Sequence, residues 1–321
     1  MGVWGTSAPA TILSMLLLVP NDPLRPRRPD EHFGAEARAA RDMGIEVALI
    51  DHDAACHGDA DEAVRFLSKA STDAVYRGWM LRSEQYAVVA AAAESRGVSL
   101  RTSPADYQAA HELPGWYQAF QSLTPLSAWL RSPGADGLDG VLQMLPAGPA
   151  VIKDYVKSMK HYWSEAAYIP DVRDLESARR VADRYLELRG EDLVGGIVVR
   201  SFVDLLPGEA RTWWVDGRCV LVTAHPDTPD HVPTDVPVAQ FATAVKVLGA
   251  PFVVVDLAMT ATGAWLVVDV GDGQVSDRPE STPPADLISA PSSSSARPSR
   301  HCSTPPSTPA PFAPGSTLST C

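Results

Sequence analysis

Apolar positions fall in short runs through the first third of the chain, separated by stretches with helical spacing. Residues 16–19 (Leu16, Leu17, Leu18, Val19) and 45–50 predict buried strands, and 74–79 and 98–101 predict two more. Between them, 35–43 reads as a helix closed by Gly44. A second helix begins in 62–67, and 83–96 is an Ala-rich helix closed by Gly97. This alternation predicts a parallel sheet with helices on its faces. No GxGxxG follows the first strand, which argues against a dinucleotide site of the usual kind. Residues 106–146 read as helical and carry Trp116, Tyr117 and Trp129. That segment is either packing between two domains or a wall facing a substrate.

A different rhythm begins at 150. Residues 150–155 predict a strand carrying Lys153, followed by a polar loop with Lys157, Lys160 and His161. Ala178, Val181, Ala182, Tyr185 and Leu186 recur at helical spacing, with Asp174 as the expected N-cap and Gly190 just past the end. Residues 197–206 predict one strand. Residues 210–214 and 219–223 predict a hairpin about Asp216-Gly217, and 236–248 a helix. Residues 252–257 and 265–270 predict another hairpin, turned near Thr262-Gly263. This half is α+β with antiparallel strands. From about Arg278 onward Ser, Thr and Pro dominate, a composition that predicts disorder. The abruptness of that change suggests a frame change or a truncated terminus in the source gene. Met15 is a candidate natural start, which makes residues 1–14 a leader without structural duty.

Composition narrows the function. The chain has 321 residues, 45% of them hydrophobic, and a formal net charge of −12. That is enough chain for a large core without disulfides or metal staples. The acidic balance gives no electrostatic footprint for nucleic acid. No apolar run reaches the ~20 residues of a membrane span. The four cysteines (Cys56, Cys219, Cys302, Cys321) form no CxxC pair, consistent with free thiols in a cytoplasmic protein. Met1-Gly2 with Thr6 matches an N-myristoylation pattern only weakly.

Four features carry candidate chemistry. Lys occurs at 69, 153, 157, 160 and 246, so most lysines cluster in one eight-residue stretch of an Arg-preferring chain. A compact ammonium suits phosphate contact. In Val198-Val199-Arg200-Ser201-Phe202-Val203, a strand ending in a kink can offer backbone groups to a purine edge, with Phe202 or Val203 against the ring; plain core strand is the alternative. Arg211 can contact a phosphate or form an ion pair. Asp256 and Asp269 close apolar strands of one hairpin, so both carboxylates can face one cation, with Asp272 nearby. Mg²⁺ takes carboxylates, phosphate oxygens and waters together.

In this order the features resemble the ATP-grasp superfamily, including the 13-residue step from Asp256 to Asp269. Val151-Ile152-Lys153-Asp154-Tyr155-Val156-Lys157-Ser158, the stretch Tyr76–Leu81 and the stretch Val268–Ser276 are similar to the clade named for two arginines and a lysine. The resemblance covers residues 15–277. It implies a Rossmann-like pre-ATP-grasp domain (15–105), a helical connector (106–149), a two-subdomain ATP-grasp fold (150–277) and a disordered tail (278–321). It further implies ATP and Mg²⁺: Lys153 and Lys157 on phosphates, Ser201, Phe202 and Val203 at adenine, Arg211 at the γ-phosphate, Asp256 and Asp269 on metal. The chain departs from the family pattern at three places. Asp269 stands where Glu is usual, Gly271 where Asn is usual, with Asp272 next to it, and Ser201 where the hinge often has Glu. The implied activity is ligation of a carboxylate to an amine through an acylphosphate. A nucleotide-binding module without turnover, which the shorter Asp269 favours, and an ATP-dependent phosphotransferase are the alternatives. His111, Arg77 and Trp79 stand where a first-domain surface can face the cleft; core or interface packing is the plainer reading.

Overall fold

The computed structural model describes residues 15–69, 71–131, 136–231 and 234–292. The chain starts with β1 (Met15–Asp22), β2 (Arg25–Pro29), α1 (Gly34–Asp42), β3 (Glu46–Ile50), α2 (His52–Cys56), α3 (Ala60–Ala63), β4 (Thr72–Tyr76), α4 (Ser83–Ser95) and β5 (Val98–Leu100). The parallel strands lie in the order β3-β1-β4-β5, and β2 folds back antiparallel on the end of β1. Both faces are covered, as an all-parallel sheet requires, so β1 is apolar throughout its centre. The helix expected in 62–67 is instead two short ones. Gly58, at φ +78°, closes the first. Asp51 and Asp59 each accept a backbone N–H three residues on, at 3.1 and 3.2 Å, and so start α2 and α3 separately.

Next come α5 (Pro104–His111), α6 (Leu113–Phe120), β6 (Ser127–Trp129) and α7 (Leu138–Gln143). The stretch that reads as helical thus also contains a strand. β6 pairs antiparallel with β9 (Val198–Ser201), which pairs with β7 (Ala150–Lys153), and β7 with β8 (Tyr168–Ile169). α8 (Leu175–Arg189) covers this sheet with Ala178, Val181, Ala182 and Tyr185. Its cap is the expected one: Asp174 accepts from the Ser177 N–H at 3.0 Å.

A second antiparallel sheet, in the order β11-β10-β12-β13, uses β10 (Leu205–Val215), β11 (Arg218–Ala224), β12 (Phe252–Thr260) and β13 (Trp265–Asp272). α9 (Val238–Leu248) lies between β11 and β12 in the chain. Asp216 (φ +48°) and Gly217 (φ +75°) make the tight β10–β11 turn, the left-handed pair that a two-residue hairpin needs. One face of this sheet buries Ala210, Trp214, Val253, Val255 and Leu257 with Trp116, Phe120 and Phe241 of α6 and α9. The strand expected across 197–206 is two strands in different sheets. The Phe202 N–H makes the last bond in the β7–β9 register, to the Pro149 carbonyl at 2.9 Å; Pro149 has no N–H to return it, and the chain crosses to the second sheet.

The disorder expected from 278 does not hold for the described residues that follow, up to 292. α10 (Pro284–Ser292) is folded, with Leu287 and Ile288 each 1% exposed. They share a core with Phe33 and Ala37 beside α1 and with Trp213 and Phe252 of the second sheet. Two aliphatic side chains suffice to anchor it, each contributing about 1.5–3 kcal/mol. The proposed leader 1–14 and tail residues 293–321, with Cys302 and Cys321, lie outside the described residues.

The first domain is locked to the second sheet by Arg77, which is 1% exposed. Its guanidinium pairs with both Glu36 oxygens at 2.8 and 2.9 Å and donates to the carbonyls of Gly273, Gln274 and Ser276 at 2.7–3.0 Å. These bonds fix the segment after β13, and with it the floor of the cleft between the two units.

Candidate functional site

Antiparallel register builds the core of the site. Arg211 on β10 lies directly opposite Asp256 on β12, which lies directly opposite Asp269 on β13. Residues in register on adjacent strands project to the same face. Arg211 grips Asp256 with two bonds of 2.8 Å and donates to the Asp277 carbonyl at 2.7 Å. The His225 Nε2 atom stands 3.7 Å from the same carboxylate, while its Nδ1 accepts the Asp227 N–H at 3.1 Å. That bond fixes the tautomer with the proton on Nε2, toward Asp256. Burial lowers the His225 pKa from its ordinary value.

Lys153, at the end of β7, reaches across from the other sheet to place Nζ 3.5 Å from the Asp269 carboxylate. The turn beyond it is set by Asp154, whose side chain is fully buried. One oxygen accepts the N–H groups of Val156 and Lys157 at 2.7 and 2.5 Å; the other pairs with Arg189 at 2.9 Å. Tyr185 closes the turn by donating to the Lys157 carbonyl at 2.8 Å. Burial, and then the Lys153 charge, lower the Lys157 pKa, with Asp269 acting in the opposite sense. Two cations held this close favour an anion between them. Farther out, Lys160 pairs with Asp227 at 3.3 Å.

The cleft has two connected parts. One, about 440 Å³, is lined by Val151, Phe202, Val203, Leu266 and Val268 as well as Lys153 and Asp269. Its apolar walls suit a flat ring. The Ser201 Oγ atom on its wall is buried without a hydrogen-bond partner, a vacancy that a purine edge can satisfy. Phe202 contributes its ring, packed at 5.5 Å against Tyr168, rather than its N–H, which Pro149 already holds. Arg200, 9% exposed, stiffens this wall by donating to the Val267 and Val268 carbonyls at 2.8 and 2.6 Å, so it ties β9 to β13. Burial pushes its pKa down to about 10.

The other part, about 490 Å³, is lined by Lys153, Lys157, Arg211, Asp256 and Asp269 on one side. His32, Phe33, Trp79, Met80 and His111 of the first unit line the opposite side. This wall sits where β1 and β4 end, with neighbouring strands leaving in opposite directions. That is the usual ligand crevice of an open α/β sheet. Burial, and then the Lys157 charge, push the His111 pKa down to about 4, so this imidazole is neutral at pH 7.

The structure therefore brings together Lys153, Lys157, Ser201, Phe202, Val203, Arg211, Asp256 and Asp269 around one cleft. Asp272 is elsewhere. In the β13 register Asp269 and Gly271 point to the cleft and Asp272 to the opposite face. Its carboxyl is fully buried and accepts the Gln274 N–H at 2.8 Å. Asp256 and Asp269 are thus the carboxylates available to a cation, and no group of three or more His, Cys, Asp or Glu gathers for one among the described residues. Two carboxylates still fit Mg²⁺, which completes its shell with phosphate oxygens and water. Asp256 keeps free lone pairs while bonded to Arg211. Asp154, Arg200, His225 and the His32–Asp277 contact were not singled out from sequence. Only the juxtaposition of Asp154 with the lysine strand could have signalled one of them.

No described helix is long and apolar enough to cross a membrane. No curated protein matches the chain in sequence. Residues 140–290 match the family model of an ATP-grasp domain, family 3 of the clade named for two arginines and a lysine. Solved structures share the fold. The D-cycloserine synthetase DcsG is 18% identical, with TM-score 0.57, covering 87% of this chain and 98% of that one. The N5-carboxyaminoimidazole synthetase from Staphylococcus aureus, complexed with ADP, is 11% identical, with TM-score 0.58, covering 88% and 78%. The ATP-grasp ligase PsnB, complexed with minimal precursor, Mg and ADP, is 13% identical, with TM-score 0.50, covering 86% and 96%. Family model and fold agree with the two sheets that enclose the cleft: residues 140–290 match an ATP-grasp domain, and the chain shares the fold of solved ATP-grasp ligases.

Proposed function

We propose that the chain is an ATP- and Mg²⁺-dependent ligase that joins a carboxylate to an amine. The observation that carries this reading is the row Arg211–Asp256–Asp269, faced by Lys153 across a cleft whose apolar end continues to Ser201 and Phe202. The apolar part takes the adenine. Lys153 and Lys157 hold phosphate oxygens, and Arg211 backs Asp256. Mg²⁺ between Asp256 and Asp269 would neutralise charge on the phosphates. A substrate carboxylate oxygen attacks the γ-phosphorus and ADP leaves, giving an acylphosphate. The amine then displaces phosphate. The protein's contribution is positioning and fixed charge, so no nucleophilic side chain is needed. Ligases with this fold, among them D-cycloserine synthetase and the ATP-grasp ligase PsnB complexed with a precursor peptide, support both the reaction class and a small-molecule or peptide substrate.

One observation favours a second reading, a nucleotide-binding module without turnover. Both Asp256 oxygens are engaged by Arg211, and Asp269 is the shorter acid. One assay separates the two. The full chain is incubated with ATP, Mg²⁺, hydroxylamine and each proteinogenic amino acid or common dicarboxylate. A ligase gives hydroxamate and ADP together, and Lys153→Ala abolishes both along with calorimetric ATP binding. Mg²⁺-dependent binding with no hydroxamate for any acid favours the module. Unchanged ATP affinity in Lys153→Ala removes the site itself.

A further inference from the structure

The cleft wall contributed by the first unit holds a His–acid pair that ATP binding does not require. His32 Nε2 meets the Asp277 carboxylate at 2.7 Å. Among the described residues Nδ1 of that ring has no hydrogen-bond partner, and His32 lines the cleft opposite the cationic half. The pair is held at both ends. Asp277 is fixed through its carbonyl by Arg211, the same guanidinium that grips Asp256. The imidazole packs on Trp79 with ring centroids 4.6 Å apart and planes tilted by 35°, and sits edge-on 4.8 Å from Phe33. Trp79, 40% exposed, is steadied by its indole N–H, 3.4 Å from Asp30. Aromatic faces with carboxylates behind them attract a cation, whereas the Lys153–Lys157–Arg211 side attracts anions.

We propose that this wall receives the acceptor amine as an ammonium group over Trp79, and that His32, oriented by Asp277, is the base that deprotonates it. The proposal rests on the ligase reading and assigns its second half. The ammonium passes one proton to His32 Nδ1, and Asp277 stabilises the imidazolium through the Nε2–H bond. The freed amine nitrogen forms its bond to the acyl carbon. The bond from that carbon to the phosphoryl oxygen breaks, and its electron pair leaves with the phosphate. The second amine proton goes to that phosphate, so amide and hydrogen phosphate are the products. The charged groups around the pair are Asp30 and Glu31, next to His32 in the chain, Arg278, next to Asp277 and turned toward Glu36, and Arg211 from β10, with Trp79 from the loop after β4.

The test compares two nucleophiles on one acylphosphate. Hydroxylamine is largely unprotonated at neutral pH and needs no base; methylamine is an ammonium there. With the full chain, ATP, Mg²⁺ and the best acid from the hydroxamate assay, His32→Gln should keep hydroxamate formation within about threefold of wild type. Its amide formation with methylamine should fall about 100-fold. Raising the pH should restore the amide rate in His32→Gln in step with free methylamine. Asp277→Asn should lose the amide reaction selectively, to a lesser degree. A parallel fall of both reactions, or no fall in either, overturns the assignment. So does a wild type that uses hydroxylamine but never methylamine. A wild type that forms no hydroxamate with any acid refutes the ligase reading instead, and the base assignment falls with it.

Discussion

Asp272→Asn should stabilise the protein, and by an amount that grows with pH. The Asp272 carboxyl is buried beneath the first unit, near Tyr86, Tyr107 and Thr102, and its Oδ2 has no hydrogen-bond partner. Burial raises its pKa to about 7 from an ordinary 3.8. The Gln274 N–H and the Arg77 charge pull the other way and do not offset it. The Arg77 guanidinium is already committed to Glu36. The sign follows from linkage. Between pH 4 and 7 the unfolded chain has released this proton and the folded chain has not, so stability falls as pH rises and levels off above 7. At about 1.4 kcal/mol per pH unit the full window amounts to roughly 4 kcal/mol. Asparagine keeps the oxygen that accepts the Gln274 N–H and carries no charge at any pH. Urea unfolding of both proteins at pH 5 and pH 8 isolates the effect, because other titrating groups cancel in the difference. His111, for example, contributes with the opposite sign between about 4 and 6.5 in both. The variant's advantage should widen by about 3 kcal/mol from pH 5 to pH 8. An advantage that stays constant across that range would refute a protonated Asp272.

Two further predictions separate function from stability. Asp256 is nearly buried against Arg211, so Asp256→Asn strands a buried guanidinium and should cost about 3–5 kcal/mol in urea unfolding as well as Mg²⁺ dependence. The Asp269 side chain is 42% exposed, so Asp269→Asn should cost under about 1 kcal/mol while still weakening the Mg²⁺ dependence of ATP binding measured by calorimetry. Equal destabilisation by the two changes would contradict this arrangement of the row. Leu287→Ala should destabilise by about 2–4 kcal/mol in thermal or urea unfolding, because Leu287 fills the core shared with α1 and the second sheet. A neutral effect would mean that α10 does not dock.

How much of this was legible in the sequence depends on range. Hairpins are local: Asp216-Gly217 encodes its own turn, and one hairpin brings Asp256 and Asp269 together, but only through a one-residue bulge at Val268 that shifts the register after Leu257–Val267; beyond the bulge the strand keeps its period of two. The same period shows why Asp272 does not join them. Three residues after Asp269 is an odd step, which turns it to the other face. Composition misled at the C-terminal end. Ser and Pro dominate after Arg278, yet Leu287-Ile288 supplies enough apolar surface to dock one helix. The strand read across 197–206 fails for a non-local reason. The ladder with β7 runs out at Phe202 because its partner Pro149, far back in the chain, has no N–H to continue it.

The cleft's first-unit wall was the least legible part, and the reason is physical. His32, Trp79 and Asp277 are far apart in the chain, and each alone has an ordinary explanation: a loop histidine, an interface aromatic, a tail acid. They meet because Arg77 draws the segment after β13 under the first unit through the Gly273, Gln274 and Ser276 carbonyls. Asp277 comes next in that segment, where Arg211 captures its carbonyl. Two buried arginines, one gripping Glu36 and the other Asp256, thus deliver one acid to the cleft mouth. The residues proposed to hold phosphate lie on strands, or in the turn just after one, whose pattern announces them. The residue proposed for the amine depends on a docking that no local pattern encodes, so the proposal ties substrate choice to how the first unit seats on the second sheet.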